Sequence, residues 1–226
     1  MPGERVEFAS NGAKGHGYLA TPASGRGPGL IVIQEWWGLV THIKAVADRF
    51  ASAGFVALAP DLYRGESTQQ PDDAGRLMMA LDIARAVRDL DGAVKYLLAR
   101  PGVEPKKVGA VGFCMGGQLA LAAACTNARI GAVVDFYGVH PNVTLDLSQL
   151  AAPVLGIFAE RDAYVPPETA RKLEHDLSEA DKRAEFHIYP DVDHAFFNDT
   201  RADVYDPEAA TDAWNRTLDF FHANLA

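Results

Sequence analysis

The chain repeats one pattern along most of its length: a short run of apolar residues, then a longer segment apolar on one side only. The runs are residues 30–33, 55–59, 108–111, 130–134 and 154–158, with 186–189 more mixed. A strand with no polar face cannot lie at a surface. It needs cover above and below, which is the condition of parallel strands packed between helices. The intervening segments supply that cover. Thr41 is placed to cap a helix carrying Ile43, Val46, Ala47 and Phe50 on one side and stopped by Gly54. Leu77, Leu81, Ala84, Val87, Leu90, Val94 and Leu97 recur at three-to-four spacing and read as one long helix. Further helices run through Ala170, Leu173 and Leu177, and from the cap Asp206-Pro207 through Trp214, Leu218, Phe221 and Leu225. The expected fold class is α/β, a mostly parallel central sheet with helices on both faces.

Ahead of the first run, residues 5–8 and 17–21 alternate weakly around Ser10-Asn11-Gly12. Asn-Gly tolerates the positive φ angles of a tight hairpin, so an antiparallel edge is expected there. No repeat, low-complexity tract or linker divides the chain, and 226 residues suit a single domain spanning 1–226.

With 30 acidic and 21 basic residues the formal net charge is -9. Such a surface repels phosphate backbones and anionic lipid, so neither nucleic acid nor membrane is an expected partner. A small anionic ligand stays open, because one or two arginines can reverse the sign locally. The first residues hold no apolar core of a signal peptide, and no stretch approaches the ~18 apolar residues of a membrane span. Cys114 and Cys125 fall on what reads as a single strand-turn-helix unit, a poor disulfide framework. Reduced thiols and a cytoplasmic location are expected.

Chemistry enters at Val108-Gly109-Ala110-Val111-Gly112-Phe113-Cys114-Met115-Gly116-Gly117, followed by the small-residue helix of Leu119, Ala120, Ala122, Ala123 and Ala124. This is a strand, then Gly-x-Cys-x-Gly, then a helix. A nucleophile on so sharp a turn sits in strained backbone, and the flanking glycines let the chain pack that tightly. The turn projects the side chain at the carboxyl edge of the sheet. The helix N-terminus favours negative charge at the same spot. The bland alternative is a small buried cysteine.

Two partners follow in chain order. Asp162 lies beyond the run 154–158, in Ala159-Glu160-Arg161-Asp162, and His194 lies beyond 186–189, in Asp191-Val192-Asp193-His194-Ala195-Phe196. Nucleophile, acid, base is the order of an α/β-hydrolase. Glu160 is a rival for the acid, and spacing alone does not separate it from Asp162. His16, His42, His140, His175 and His222 read as surface residues, and His187 as structural. Asp191, Asp193 and His194 lack a second histidine at metal-ligand spacing, so no metal is expected. Directly after the run 30–33 comes Gln34-Glu35-Trp36-Trp37-Gly38. The N–H groups of Trp36 and Met115 are candidates for a two-donor oxyanion hole, while the indoles have a plain alternative as core cover.

These pieces resemble the dienelactone hydrolase family of α/β-hydrolases. The resemblance is carried by Ile31-Val32-Ile33-Gln34-Glu35-x-x-Gly38, Ala59-Pro60-Asp61-Leu62-Tyr63, Val111 through Gly117, Phe136-Tyr137-Gly138-Val139, Asp162 after Glu160, and Tyr189 through His194-Ala195-Phe196, in order along nearly the whole chain. It implies a triad of Cys114, His194 and Asp162. It also implies that Glu35 bonds the resting thiol and takes its proton when substrate arrives. Trp37 and Tyr137 are expected at the substrate. The family's type enzymes open a cyclic enol-lactone bearing a carboxylate, which two arginines hold. At one of those positions this chain has Asn198, and the other falls in a region where Arg76 is the nearest match; Arg64 and Arg201 are further candidates for an anion clamp.

The expected activity is therefore ester or lactone hydrolysis of a small molecule, of dienelactone hydrolase type, without metal or organic cofactor, by a monomer or small homo-oligomer. A general carboxylesterase or thioesterase acting on uncharged substrates is the alternative within enzymes. A redox-sensing or binding protein is the alternative outside them.

Overall fold

In the computed structural model, which describes residues 2–225, every apolar run becomes a strand of one eight-stranded sheet. Met1 and Ala226, the ends of the expected single-domain span, lie outside the described residues. The strands are β1 (Glu4–Ser10), β2 (Ala13–Ala20), β3 (Gly27–Ile33), β4 (Val56–Pro60), β5 (Val103–Phe113), β6 (Ile130–Phe136), β7 (Val154–Ala159) and β8 (Ala184–Tyr189). The helices are α1 (Thr41–Ser52), α2 (Pro71–Ala80), α3 (Ile83–Leu98), α4 (Met115–Thr126), α5 (Pro167–Glu179) and α6 (Pro207–Asn224).

The strand order is β1-β2-β4-β3-β5-β6-β7-β8. β1 and β2 pair antiparallel through a turn in which Asn11 and Gly12 take φ of 49° and 74°, and β2 joins β4 antiparallel. From β4 to β8 every pairing is parallel. The successive parallel strands therefore deliver their carboxyl ends to one edge.

Side chains leave β3 alternately toward two cores. Leu30 and Val32 join α1 and α6 on one face, while Ile31 and Ile33 join α3 and α4 on the other. All four are buried to within 1%. At about 1.5–3 kcal/mol for each such side chain removed from water, the two-sided burial is what holds a strand with no polar face. α4 is buried along most of its length, from Met115 to Cys125, which explains why its sequence is small and apolar all round.

Two sequence expectations need correction. The single long helix is two: α2 ends at Ala80, Leu81 is extended with ψ 120°, and α3 starts at Ile83. Asp82 caps α3 by accepting from the Arg85 N–H at 3.0 Å. The apolar spacing runs through the break because Leu77, Leu81, Ile83, Leu90 and Val94 all pack against the same core. Thr41 is the first helical residue of α1 and not its cap; Val40 holds that place without a side-chain bond.

Candidate active site

Cys114 occupies the turn between β5 and α4 with φ 53° and ψ -124°, a left-handed conformation that costs a non-glycine residue of order 1–3 kcal/mol. The surroundings hold it there. Its N–H donates to Phe136 O at 3.0 Å, and its carbonyl accepts from Gly117 N at 2.9 Å and Val139 N at 3.2 Å. The glycines on either side have steric reasons. A Cβ on Gly112 would lie 1.9 Å from the Gly116 carbonyl oxygen, and one on Gly116 would lie 2.6 Å from the carbonyl oxygens of Ile33 and Gln34. The first turn of α4 thus rests directly on the end of β3, where Glu35 and Trp36 begin. Among the described residues, neither the Trp36 nor the Met115 N–H is engaged by a turn, loop or side-chain acceptor.

His194 follows β8 and Asp162 follows β7, and the two meet: His194 Nδ1 lies 2.6 Å from Asp162 Oδ2. Asp162 Oδ1 accepts from the N–H groups of Tyr164 and Val165, both at 2.8 Å. Its side chain is fully buried. It does not cap α5, which starts at Pro167 without a side-chain cap. Glu160 turns elsewhere and accepts from Asp191 N at 3.1 Å. The imidazole of His194 packs between Tyr137, at a centroid distance of 4.9 Å, and Tyr164, at 5.1 Å. Burial works against a charge on it, but the bond to Asp162, with Cys114 nearby adding to it, prevails and raises its pKa to about 10. Cys114 keeps 7% of its surface accessible and the His194 side chain 11%, so both can be reached from outside.

Glu35 is buried at the end of β3, and burial raises its pKa against the opposing pull of His42, His194, Asn198 and Arg201. Its Oε2 accepts from Asn198 Nδ2 at 2.9 Å. The bond expected from the Cys114 thiol is therefore replaced in this arrangement by one from an amide. Asn198 is held at both ends, because its Oδ1 accepts from Thr200 N at 3.1 Å and Thr200 Oγ1 at 2.7 Å.

The expected substrate contacts divide. Trp36 and Trp37 are half-buried and pack edge to face at 4.9 Å. Tyr137 is fully buried at φ 42°, with its hydroxyl unpartnered among the described residues. Arg76 points outward from α2, paired with Asp73, its side chain 77% exposed. Arg64 pairs with Asp89 and Arg201 with Asp203. A groove of about 460 Å³ is lined by Trp37, His42, Thr68, Gln69, Asn198 and Arg201, among others.

Some residues carried no sequence signal of where they stand. Tyr164 is exposed against His194 and 6.4 Å from Trp36, forming a rim of the site. Tyr63 donates to Met115 Sδ at 3.2 Å, and burial, with the charge of Cys114 adding to it, raises its pKa. His42, read as a surface residue, is 3% exposed, as is His140, which packs under Met78 O at 3.2 Å. Their apolar neighbours are distant in sequence, so local polarity misjudged them. Among the described residues no group of three or more His, Cys, Asp or Glu is disposed to hold a metal ion.

A parallel sheet carrying a left-handed residue at a strand-to-helix turn, with an acid and a histidine at later strand ends, defines an α/β-hydrolase. Residues 16–225 match the model of the dienelactone hydrolase family. The chain is 42% identical to "Protein usf" of Aquifex pyrophilus over 99% of both chains. It is 36% identical to a putative carboxymethylenebutenolidase of Aquifex aeolicus, again over 99% of both. A crystal structure of a putative dienelactone hydrolase from Klebsiella pneumoniae superposes with a TM-score of 0.86 at 32% identity, covering 98% of this chain and 99% of that one. The chain belongs to the dienelactone hydrolase family, and it is a hydrolase acting on ester or lactone bonds.

Proposed function

We propose that the protein opens a lactone, or cleaves a small ester of the same kind, through a Cys114 nucleophile served by His194 and Asp162, in the manner of a dienelactone hydrolase. The observation that carries this reading is the 2.6 Å bond between His194 and Asp162 beside a cysteine held at φ 53°. Glu35 takes the thiol proton when substrate displaces its bond to Asn198. The sulfur attacks the carbonyl carbon, and the N–H groups of Trp36 and Met115 receive the oxyanion. Collapse breaks the carbon–oxygen bond, and the leaving oxygen takes a proton from His194. The result is a thioester on Cys114 and a neutral imidazole.

The charge balance of the site supports the second half. Once acylated, Cys114 can no longer form the thiolate that helps hold the His194 proton. The imidazole becomes a base at the moment water must be activated against the thioester. Asp162 keeps Nδ1 protonated and leaves Nε2 for the water. Water gives its proton to His194 and adds to the thioester carbonyl, the sulfur leaves and takes back its proton from Glu35, and the acid product departs. The scheme uses no metal and no organic cofactor. Both cysteines are free and buried, which supports a reducing, cytoplasmic setting.

The test is turnover of p-nitrophenyl acetate and of a panel of lactones and esters, with and without a carboxylate, by the protein and by Cys114→Ala. Loss of both burst and steady state in Cys114→Ala is expected. Retained turnover would refute the nucleophile. A preference for carboxylate-free substrates would shift the reading from dienelactones toward neutral esters.

A further inference from the structure

Three large hydrophobic side chains are exposed among the described residues, Met79, Tyr164 and Tyr205, and Tyr164 is the most exposed at 62%. It is also the one with the imidazole of His194 beside it, at a centroid distance of 5.1 Å, and the indole of Trp36 at 6.4 Å. The backbone under it is fixed. The Tyr164 and Val165 N–H groups donate to Asp162 Oδ1, both at 2.8 Å, Val165 is buried, and α5 begins at Pro167. An apolar ring kept in water on a held backbone loses little freedom when something packs on it, which is the condition for a preorganised contact. The scheme above gives Tyr164 no role.

We propose that Tyr164 is a specificity-determining residue, whose ring, together with that of Trp36, seats an aryl group carried on the leaving oxygen of the substrate. The inference rests on the reading of His194 as the acid that protonates that oxygen. His194 Nδ1 is taken by Asp162, so the leaving oxygen meets the imidazole at Nε2. Tyr137 fills the inner side of the imidazole, fully buried at a centroid distance of 4.9 Å, and the exposed Tyr164 stands on the outer side. The group attached to the leaving oxygen has no room to turn inward. It runs outward along Tyr164 toward Trp36.

The geometry of that corner selects what fits there. The Tyr164 and Trp36 rings meet at 63°, and Trp37 backs Trp36 edge to face at 4.9 Å. A third ring entering the angle meets one aromatic face and one edge, the contacts that aromatic pairs prefer at centroid distances of about 4.5–7 Å. A small alkyl group has the same access but offers neither contact and buries less apolar area. Discrimination therefore falls on the phenol or alcohol half of an ester. In a lactone it falls on the ring carbon next to the leaving oxygen.

The experiment is kcat/KM for phenyl acetate and for trifluoroethyl acetate, an activated ester without a ring, in the intact protein, in Tyr164→Ala and in Tyr164→Phe. Both esters leave the same acetyl group on Cys114, so the ratio of the two values reads only the steps in which the leaving group is present. Their different intrinsic reactivities cancel when a variant's ratio is compared with the parent's. In Tyr164→Ala the phenyl-to-trifluoroethyl ratio is expected to fall about tenfold, and in Tyr164→Phe to stay within about twofold of the parent. A ratio unmoved in Tyr164→Ala would overturn the proposal, whether neither value falls or both fall together, as they would if the ring only steadied His194. So would an equal fall in Tyr164→Phe, which would assign the effect to the hydroxyl and not the ring. Failure of the underlying reading shows separately, as ester turnover retained by Cys114→Ala or by His194→Gln.

Discussion

The 2.6 Å contact between His194 Nδ1 and Asp162 Oδ2 is made by a carboxylate whose other oxygen is already held by the N–H groups of Tyr164 and Val165. The acid is locked before the histidine reaches it, so the imidazole is aimed by a group that does not itself rotate. Asp162→Asn preserves shape but offers Nδ1 either a donor or a weaker acceptor, and the wrong tautomer becomes available. The expected result is a fall in kcat for p-nitrophenyl acetate of about 10⁴-fold, the size seen when such an acid is neutralised elsewhere. A fall below tenfold would show that Asp162 does not orient His194.

The same pair has a signature in stability. Folding raises the His194 pKa to about 10, above the ~6.5 of an unfolded histidine. The folded protein therefore holds an extra proton between those values. The stabilisation is complete below about pH 6.5 and is lost as pH rises through about 10. The melting temperature of the protein should fall across that window more steeply than that of Asp162→Asn. Parallel curves would show that the pair contributes no proton linkage.

Much of this was legible in the sequence because it depended on local spacing. The Gly-x-Cys-x-Gly turn and the Asn11-Gly12 hairpin follow from residues within a few positions of one another, and Asp162 and His194 each stand a few positions after an apolar run. What was missed depended on distant contacts. His42 is buried by Phe113 and by the segment holding Asp199, neither of which is near it in the chain. Asn198 looked like a lost arginine, and the structure gives it a tie to Glu35 across 163 positions. The break at Leu81-Asp82 escaped notice because two helices on one core share a single apolar period; the Asp82 cap was the available signal.

Glu35 separates a catalytic from a structural role cleanly. Gln in its place still accepts from Asn198, and it removes an acid that burial already disfavours in its charged form. Glu35→Gln should fold as well as the parent, with a melting temperature unchanged or slightly higher. Its acylation rate should fall by about 100-fold, the scale of a lost general base. An unchanged rate in a folded variant would leave Glu35 as scaffolding only.

Gly116 tests whether the two proposed oxyanion donors depend on one packing contact. The first turn of α4 can lie on β3 only because Gly116 has no side chain to meet the Ile33 and Gln34 carbonyls. Gly116→Ala must push the helix outward and carry the Met115 N–H away from that of Trp36. Where the variant folds, kcat should fall about 100-fold, close to the ~3 kcal/mol of one lost donor, with a smaller change in KM. Wild-type kcat would show that Met115 does not serve the oxyanion.

Asp135 closes β6 beneath this turn and belongs to no step of the scheme. Both its oxygens are buried without a hydrogen-bond partner among the described residues, and a Cβ on Gly117 would lie 1.9 Å from Oδ1. Burial pushes its pKa up to about 7, with the nearby Gly138 N–H offsetting only part of that rise. An unfolded aspartate titrates near ~3.9, so between the two values the folded state holds the extra proton. Stability must then fall as pH rises through that window, the opposite of the usual salt-bridged carboxylate. Between pH 5 and 8 the loss is on the order of 2 kcal/mol, since holding one extra proton costs about 1.4 kcal/mol for every rise of one in pH. Asp135→Asn keeps the shape and removes the charge. Urea unfolding at pH 5 and pH 8 should show the parent losing stability that the variant keeps, and equal losses in both would mean that Asp135 is paired in solution.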